Sequence, residues 1–273
     1  MADVTSDAYD DGFLGIPLPL PRPADGREVR ELTYPRFTVL LDPERRLAAV
    51  TGVNIDGAAL QDLPRTGEWD LDPRIPAAEQ AGPAVYASND LDRGHLVRRR
   101  DPGWGSEAEA RRATEATFRY PNAAPQASGF NQSKELWLGL EDHVLEFAET
   151  TDERISVFTA PVLAGDDPPY RGILVPRRFF KVAAWTTREE GVPRLAAAGF
   201  VLDQSELIDL RAGVLDVPTL GAFRTFQVRV ADIEELSGID LGTLVDADVL
   251  ARTTVRGESA WRPLREPEDV VLG

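Results

Sequence analysis

The sequence predicts an α+β fold, a central and mostly antiparallel sheet flanked by helices. Three observations carry that prediction. Residues 36–53 hold two apolar strands around the turn Asp42-Pro43-Glu44-Arg45, a hairpin signal. Residues 154–230 contain further strand-like runs, the clearest being residues 154–163. Between these groups Leu136, Leu140, Val144 and Phe147 recur at helical spacing, with Trp137 widening the stripe.

Each element has its own justification. Residues 1–30 are rich in Asp, Pro and Gly, and the run from Phe13 to Pro21 cannot be helical, because proline lacks the N–H and blocks the preceding turn. This stretch reads as an extended arm. After the hairpin, residues 60–83 carry prolines at 64, 73, 76 and 83 and read as loop, with Trp69 as its anchor on the core. A short strand is expected at His95, followed by a tight basic loop through Gly105. Ser106 and Glu109 match a capping box, so a helix is expected from there to about Thr117. Prolines 121 and 125 and Gly129 interrupt the next stretch, and a second helix is expected from about Asn131 to Thr150. Strands are expected over residues 179–185, 194–202 and 223–230, then a short helix closed by Gly238. With no internal repeat and no linker, the expected organisation is an arm (1–30), a single domain (31–250) and a polar tail (251–273).

Composition narrows the chemistry. The 273 residues contain no cysteine, which removes disulfides, thiolate metal sites and thiol nucleophiles together. No apolar run approaches the ~20 residues that span a bilayer, and the polar N-terminus lacks the pattern of a secretory signal. A cytoplasmic location without membrane attachment is therefore expected, or secretion by another route. The net charge is −16, which counts against a nucleic-acid partner. The charge is uneven, however. Residues 93–112 hold six arginines against three acids, whereas residues 231–273 hold ten acids against four arginines. A basic patch on an acidic body can still bind phosphate.

Unusual side chains concentrate in residues 92–141. His95 is one of two histidines and titrates near neutral pH, as a general base requires. Arg93 can fork two hydrogen bonds onto a phosphate. Asn122, Gln126 and Asn131 are amides around a proline-bent loop, and Asn131 sits at an expected helix start. Glu135 and Glu141 follow on that helix. A hard metal such as Mg²⁺ keeps several waters and needs few protein ligands. Together these parts suit phosphodiester hydrolysis. His143 reads as a solvent-facing helix residue, and Trp104 and Trp137 as packing residues.

The same residues carry a resemblance. Asp92-Arg93-Gly94-His95, then Asn122-Ala123-Ala124-Pro125-Gln126 with Asn131 nine residues after Asn122, then Trp137-Leu138-Gly139-Leu140-Glu141, occur in this order. Val157-Phe158-Thr159-Ala160-Pro161 and Ile233-Glu234-Glu235-Leu236-Ser237-Gly238 follow. The chain resembles the DNA/RNA non-specific endonucleases of the ββα-metal (His-Me finger) class, relatives of mitochondrial endonuclease G, from about Tyr34 to Leu241. The resemblance implies the ββα-metal fold and a Mg²⁺-dependent, sugar-non-specific endonuclease, with Mn²⁺ as second candidate, that leaves 5′-phosphate products. It implies His95 as the base that activates water, Asn131 as the direct metal ligand and Glu141 as holder of a metal-bound water. It further implies Arg93 on the phosphate, with Asn122 and Asp92 arranging the site. Arg65 matches a second phosphate-binding arginine, with Arg74 competing for the role. Arg98 and Arg99 are further candidates for phosphate contact.

The gap of ten residues from Asn131 to Glu141 is longer than in better-known members. At about 100° per residue the added length swings the carboxylate around the helix, so Glu135 is its rival. The competing function class is a retired nuclease scaffold that only binds nucleic acid or nucleotides. An active enzyme in the cytoplasm calls for control, by an inhibitor, an activating partner or homodimer formation, as in a toxin or defence effector.

Overall fold

The computed structural model describes residues 7–127, 153–211, 214–216, 224–253, 261–264 and 269–272. Its principal strands are β1 (Arg30–Tyr34), β2 (Phe37–Asp42), β3 (Leu47–Asp56), β4 (Leu91–His95), β5 (Ala123–Ala127), β6 (Arg154–Pro161), β7 (Arg178–Glu189), β8 (Val192–Asp203), β9 (Arg224–Val228) and β10 (Trp261–Leu264). Eight of them form one sheet in the order β10-β9-β8-β7-β6-β3-β2-β1. Every pairing in it is antiparallel. The predicted central antiparallel sheet is present.

Alternation of side chains along these strands builds a core on each face. One face carries Val39, Val53, Val157, Phe179, Ala183 and Phe200, packed against Tyr86, Leu91, Leu96, Val97 and Tyr120. The other carries Leu40, Val50, Phe158, Phe180, Val182 and Val201. Leu14 and Leu18 of the N-terminal arm cover it, together with Val230 and Ile233 of the helix Val230–Ser237. The arm is thus part of the second core. Its backbone is tied down where Asp10 N donates to Asn54 Oδ1 at 2.7 Å and Tyr9 N donates to Thr38 Oγ1 at 3.1 Å.

The expected capping box is formed at Ser106 and Glu109, and the helix runs over Glu107–Ala116. Gly238, at φ 66°, closes the short late helix as a left-handed cap. Three details differ from expectation. Residues 30–34 pair with β2 as an edge strand, although their alternating Leu32 and Tyr34 are the only apolar signal. β3 runs on through Asn54-Ile55-Asp56, past the expected end of the hairpin at residue 53, because its register with β6 extends to Asp56↔Arg154. Within the expected polar tail, residues 261–264 add the outer strand against β9. The second expected helix, residues 131–150, lies outside the described residues. Among the described residues no helix is long and apolar enough to cross a membrane.

Candidate active site

The short strand expected at His95 is β4. It pairs with β5 as a separate two-stranded ribbon, in the register His95↔Ala123, Gly94↔Ala124, Arg93↔Pro125 and Asp92↔Gln126. The ribbon lies over β3 on the first core face. Strand alternation puts Arg93 and His95 on one side of the ribbon and Asp92 and Gly94 on the other. Gly94 is required there. The buried Gln126 side chain crosses it diagonally and occupies the place a Cβ would take.

Asn122 extends this ladder past the histidine. Its backbone oxygen accepts from Leu96 N at 3.0 Å, and its side-chain oxygen accepts from Val97 N at 2.9 Å. Its amide nitrogen donates to the carbonyls of Val97 and Thr117, both at 2.9 Å. The side chain is fully buried and its hydrogen-bonding capacity is spent on backbone, so Asn122 positions the His95 strand. Gln204 bolts the ribbon to the main sheet. It accepts from Ala127 N at 3.1 Å and donates to Pro176 O at 2.7 Å and Pro125 O at 3.3 Å. No sequence signal marks Gln204, because its partners are backbone atoms far away in the chain.

His95 is half-buried between aromatic rings. Trp69 lies 4.5 Å away between ring centroids, and Phe118 meets the imidazole edge-on at 4.9 Å. Trp69 is the loop anchor expected from the sequence, but it anchors onto the histidine itself. The Nε2 atom is buried and has no hydrogen-bond partner among the described residues. Burial, and then the cations Arg65, Arg98 and Arg99, push the imidazole pKa down to about 3. The ring is therefore neutral at pH 7.

The two upstream arginines have different fates. Arg74 is closed against Asp72: its Nη2 donates to Asp72 Oδ2 at 2.6 Å and its Nε to Oδ1 at 2.9 Å, while its guanidinium covers the Tyr34 ring. Arg65 is exposed, and no carboxylate among the described residues pairs with it. Arg93 is exposed on the His95 side of the ribbon, and Asp92 is half-buried. Arg99 donates to loop carbonyls, Leu63 O at 2.9 Å and Pro64 O at 3.5 Å. Thus His95, Arg65, Arg98 and Arg99 come together, with Asn122 bonded behind the His95 strand. Asn131, Glu141 and the rival Glu135 lie outside the described residues.

Among the described residues no three His, Asp or Glu side chains gather as a metal cage. A hydrated divalent cation needs fewer protein ligands than that. A neutral histidine whose Nε2 is buried and meets no hydrogen-bond partner among the described residues fits a base held in reserve for a substrate water, not a group already satisfied by protein. Part of the chain's acidity lies away from this face. The helix Val230–Ser237, which opens the acidic C-terminal stretch, packs on the opposite face of the sheet.

An antiparallel sheet bearing a histidine ribbon on one face is the architecture of the ββα-metal class. The chain belongs to the DNA/RNA non-specific endonuclease family, whose model matches residues 22–248. It is 36% identical over 294 residues to y4fB, an uncharacterised protein of Sinorhizobium fredii, covering 97% of this chain and 42% of that protein. The chain thus spans less than half the length of that relative. Its fold is similar to that in the crystal structure of the EndoG/EndoGI complex, described for the mechanism of EndoG inhibition. There the TM-score is 0.59 and the identity 16%, over 78% of this chain and 86% of the other.

Proposed function

We propose that this chain is a Mg²⁺-dependent endonuclease that hydrolyses DNA and RNA phosphodiesters, with Mn²⁺ as second candidate metal. The observation that carries the proposal is the neutral imidazole of His95, whose buried Nε2 has no hydrogen-bond partner among the described residues, beside Arg65, Arg98 and Arg99. Burial, helped by these cations, keeps the imidazole unprotonated, and the same cations attract a phosphodiester. Water delivers its proton to Nε2 as its oxygen attacks phosphorus. The bond from phosphorus to the 3′ oxygen breaks, and that oxygen takes a proton from solvent water, leaving a 3′-hydroxyl and a 5′-phosphate. Arg93 and Arg65 bind the phosphate and offset its developing charge. Asn122 keeps the strand that carries His95 in register. The divalent cation would supply Lewis-acid stabilisation of the leaving oxygen; Asn131 would hold it, with Glu141 on one of its waters.

Purified protein is expected to degrade plasmid DNA and ribosomal RNA with Mg²⁺ and to stop on addition of EDTA. His95→Ala is expected to lower the rate by about 10²- to 10⁴-fold, the usual worth of a general base. Equal rates for His95→Ala and the unsubstituted protein would remove His95 from the reaction. Binding without metal-dependent cleavage would assign the chain to a retired scaffold instead.

A further inference from the structure

The nuclease reading uses Arg65 but leaves open what keeps an exposed arginine beside a half-buried histidine. Residues 61–69, which carry it, have no regular secondary structure. The described contacts hold this segment at two ends. At the far end, Asp70 N donates to Phe118 O at 3.1 Å and Tyr120 N donates to Asp70 O at 3.0 Å. Gly67, at φ 120°, lies so close to the Phe118 ring that a Cβ there would collide with it. At the near end Gln61 N donates to Gly103 O at 2.8 Å and Gln61 Nε2 to Gly105 O at 2.9 Å, and beyond them stands Arg99, whose Nη1 donates to Leu63 O at 2.9 Å and leans on Pro64 O at 3.5 Å. Those two carbonyls immediately precede Arg65.

Arg99 is an expensive choice of strut. It is half-buried, and desolvation followed by the neighbouring charges of Arg100 and Arg65 lowers its pKa. No carboxylate among the described residues forms an ion pair with Arg99 or Arg65. The charge of Asp62 offsets part of this, but the hydrogen bonds that hold Arg99 beside Arg65 go to neutral carbonyls, and an arriving anion relieves the remaining repulsion between the two cations. We propose that Arg99 is a positioning residue: by donating to the Leu63 and Pro64 carbonyls it fixes Arg65 where it bridges a substrate phosphate beside His95. The proposal rests on the nuclease reading and adds to it the residue that sets the second phosphate contact.

The test is a double-mutant cycle on the full chain with Arg65→Met, Arg99→Met and both together. Binding of a fluorescein-labelled single-stranded DNA is read in EDTA, and cleavage of the same strand is read with Mg²⁺. Each single variant is expected to raise Kd and KM by about tenfold and to lower kcat/KM by at least that factor, and the double variant to be no worse than either. The slope of log Kd against log salt should drop by about one in all three variants, because only one phosphate contact is lost. Additive losses, or a slope drop of about two in the double variant, would show that Arg99 touches phosphate itself and would overturn the proposal. So would unchanged Kd and KM in Arg99→Met. A collapse of the thermal unfolding midpoint in both Arg99→Met and Arg99→Gln would make Arg99 a stability residue and also overturn it. An unsubstituted protein that binds DNA normally but cleaves no nucleic acid defeats the nuclease reading, while the binding cycle still decides Arg99. One that neither binds nor cleaves defeats both.

Discussion

The loop between β3 and β4 contains two halves with opposite electrostatic design. In residues 72–80 every strong charge is closed. Arg74 pairs with Asp72, Tyr34 Oη donates to Asp72 Oδ2 at 2.6 Å, and Gln80 accepts from Asp72 N at 2.8 Å while donating back to Asp72 O at 2.9 Å. In residues 63–70 the arginine is open, the tryptophan is half-exposed against His95, and the fastening is a second arginine on carbonyls. Closed charges hold a loop in place, and open ones await a partner. The closed half lets the loop carry the open half without unfolding from the sheet edge.

Exchanging the two arginines for methionine breaks the comparison most sharply. Arg65→Met is expected to lower kcat/KM by about 10- to 100-fold, the worth of a charge-assisted phosphate contact, with the unfolding midpoint unchanged. Arg74→Met is expected to do the reverse. It strands the buried Asp72 carboxylate and costs about 1–3 kcal/mol of stability, with kcat/KM of the folded protein nearly intact. Steady-state kinetics and calorimetry on the same two preparations check both halves. Matching losses of activity in the two variants would erase the distinction.

The closed half also has a pH signature. Burial pushes the Asp72 carboxyl up, but hydrogen bonds from Arg74 and Tyr34 outweigh it and hold its pKa down at about 2. Its folded value lies below the ordinary carboxylate value. Its stabilising contribution is therefore complete above the unfolded pKa of about 4 and is lost as pH falls through about 2. Asp72→Asn should flatten the acid limb of the stability curve and lower stability at neutral pH by about 1–2 kcal/mol. Urea unfolding at a series of pH values reads this directly. An unchanged acid limb would mean that other carboxylates dominate it.

The contrast between the two halves also explains what the sequence shows and what it hides. The sheet was legible because its strands are apolar runs such as Phe179 to Trp185, and periodicity is a local property. The helix at Ser106 was legible because its cap and its partner Glu109 are three residues apart. His95 stood out by its rarity and by its motif. In the sequence Arg65 is preferred over Arg74 only by its match upstream of Trp69, since both are arginines in a proline-rich loop and nothing local shows which is paired. Their difference is Asp72, whose geometry toward Arg74 depends on Tyr34 and Gln80. The same holds for Gly94, whose need for space comes from Gln126 on the neighbouring strand, and for Gln204, whose partners lie 28 to 79 residues away. Long-range contacts between side chains and backbone leave no periodic trace.

The smallest expected effect sharpens the open half. Burial comes first in lowering the His95 pKa, and Arg65 is the first of the cations that add to it. Because the folded pKa is depressed, the base stays available as pH falls below the ordinary histidine value, and kcat/KM of the free enzyme should keep its acid limb well below pH 6.5. Removing the Arg65 charge takes away part of the depression. Arg65→Met should therefore move the acid limb upward by a fraction of a pH unit, on top of its overall loss of rate. Arg65→Lys keeps the charge near the ring and should leave the limb where it was, even though a lysine cannot fork onto the phosphate as arginine does. Profiles of kcat/KM on a short oligonucleotide from about pH 4 to pH 8 separate the two variants. If the limb stays in place in Arg65→Met, the charge of that residue serves the substrate alone and burial by Trp69 and Phe118 keeps His95 neutral. If it moves equally in both variants, the guanidinium holds the histidine environment by its shape and not by its charge.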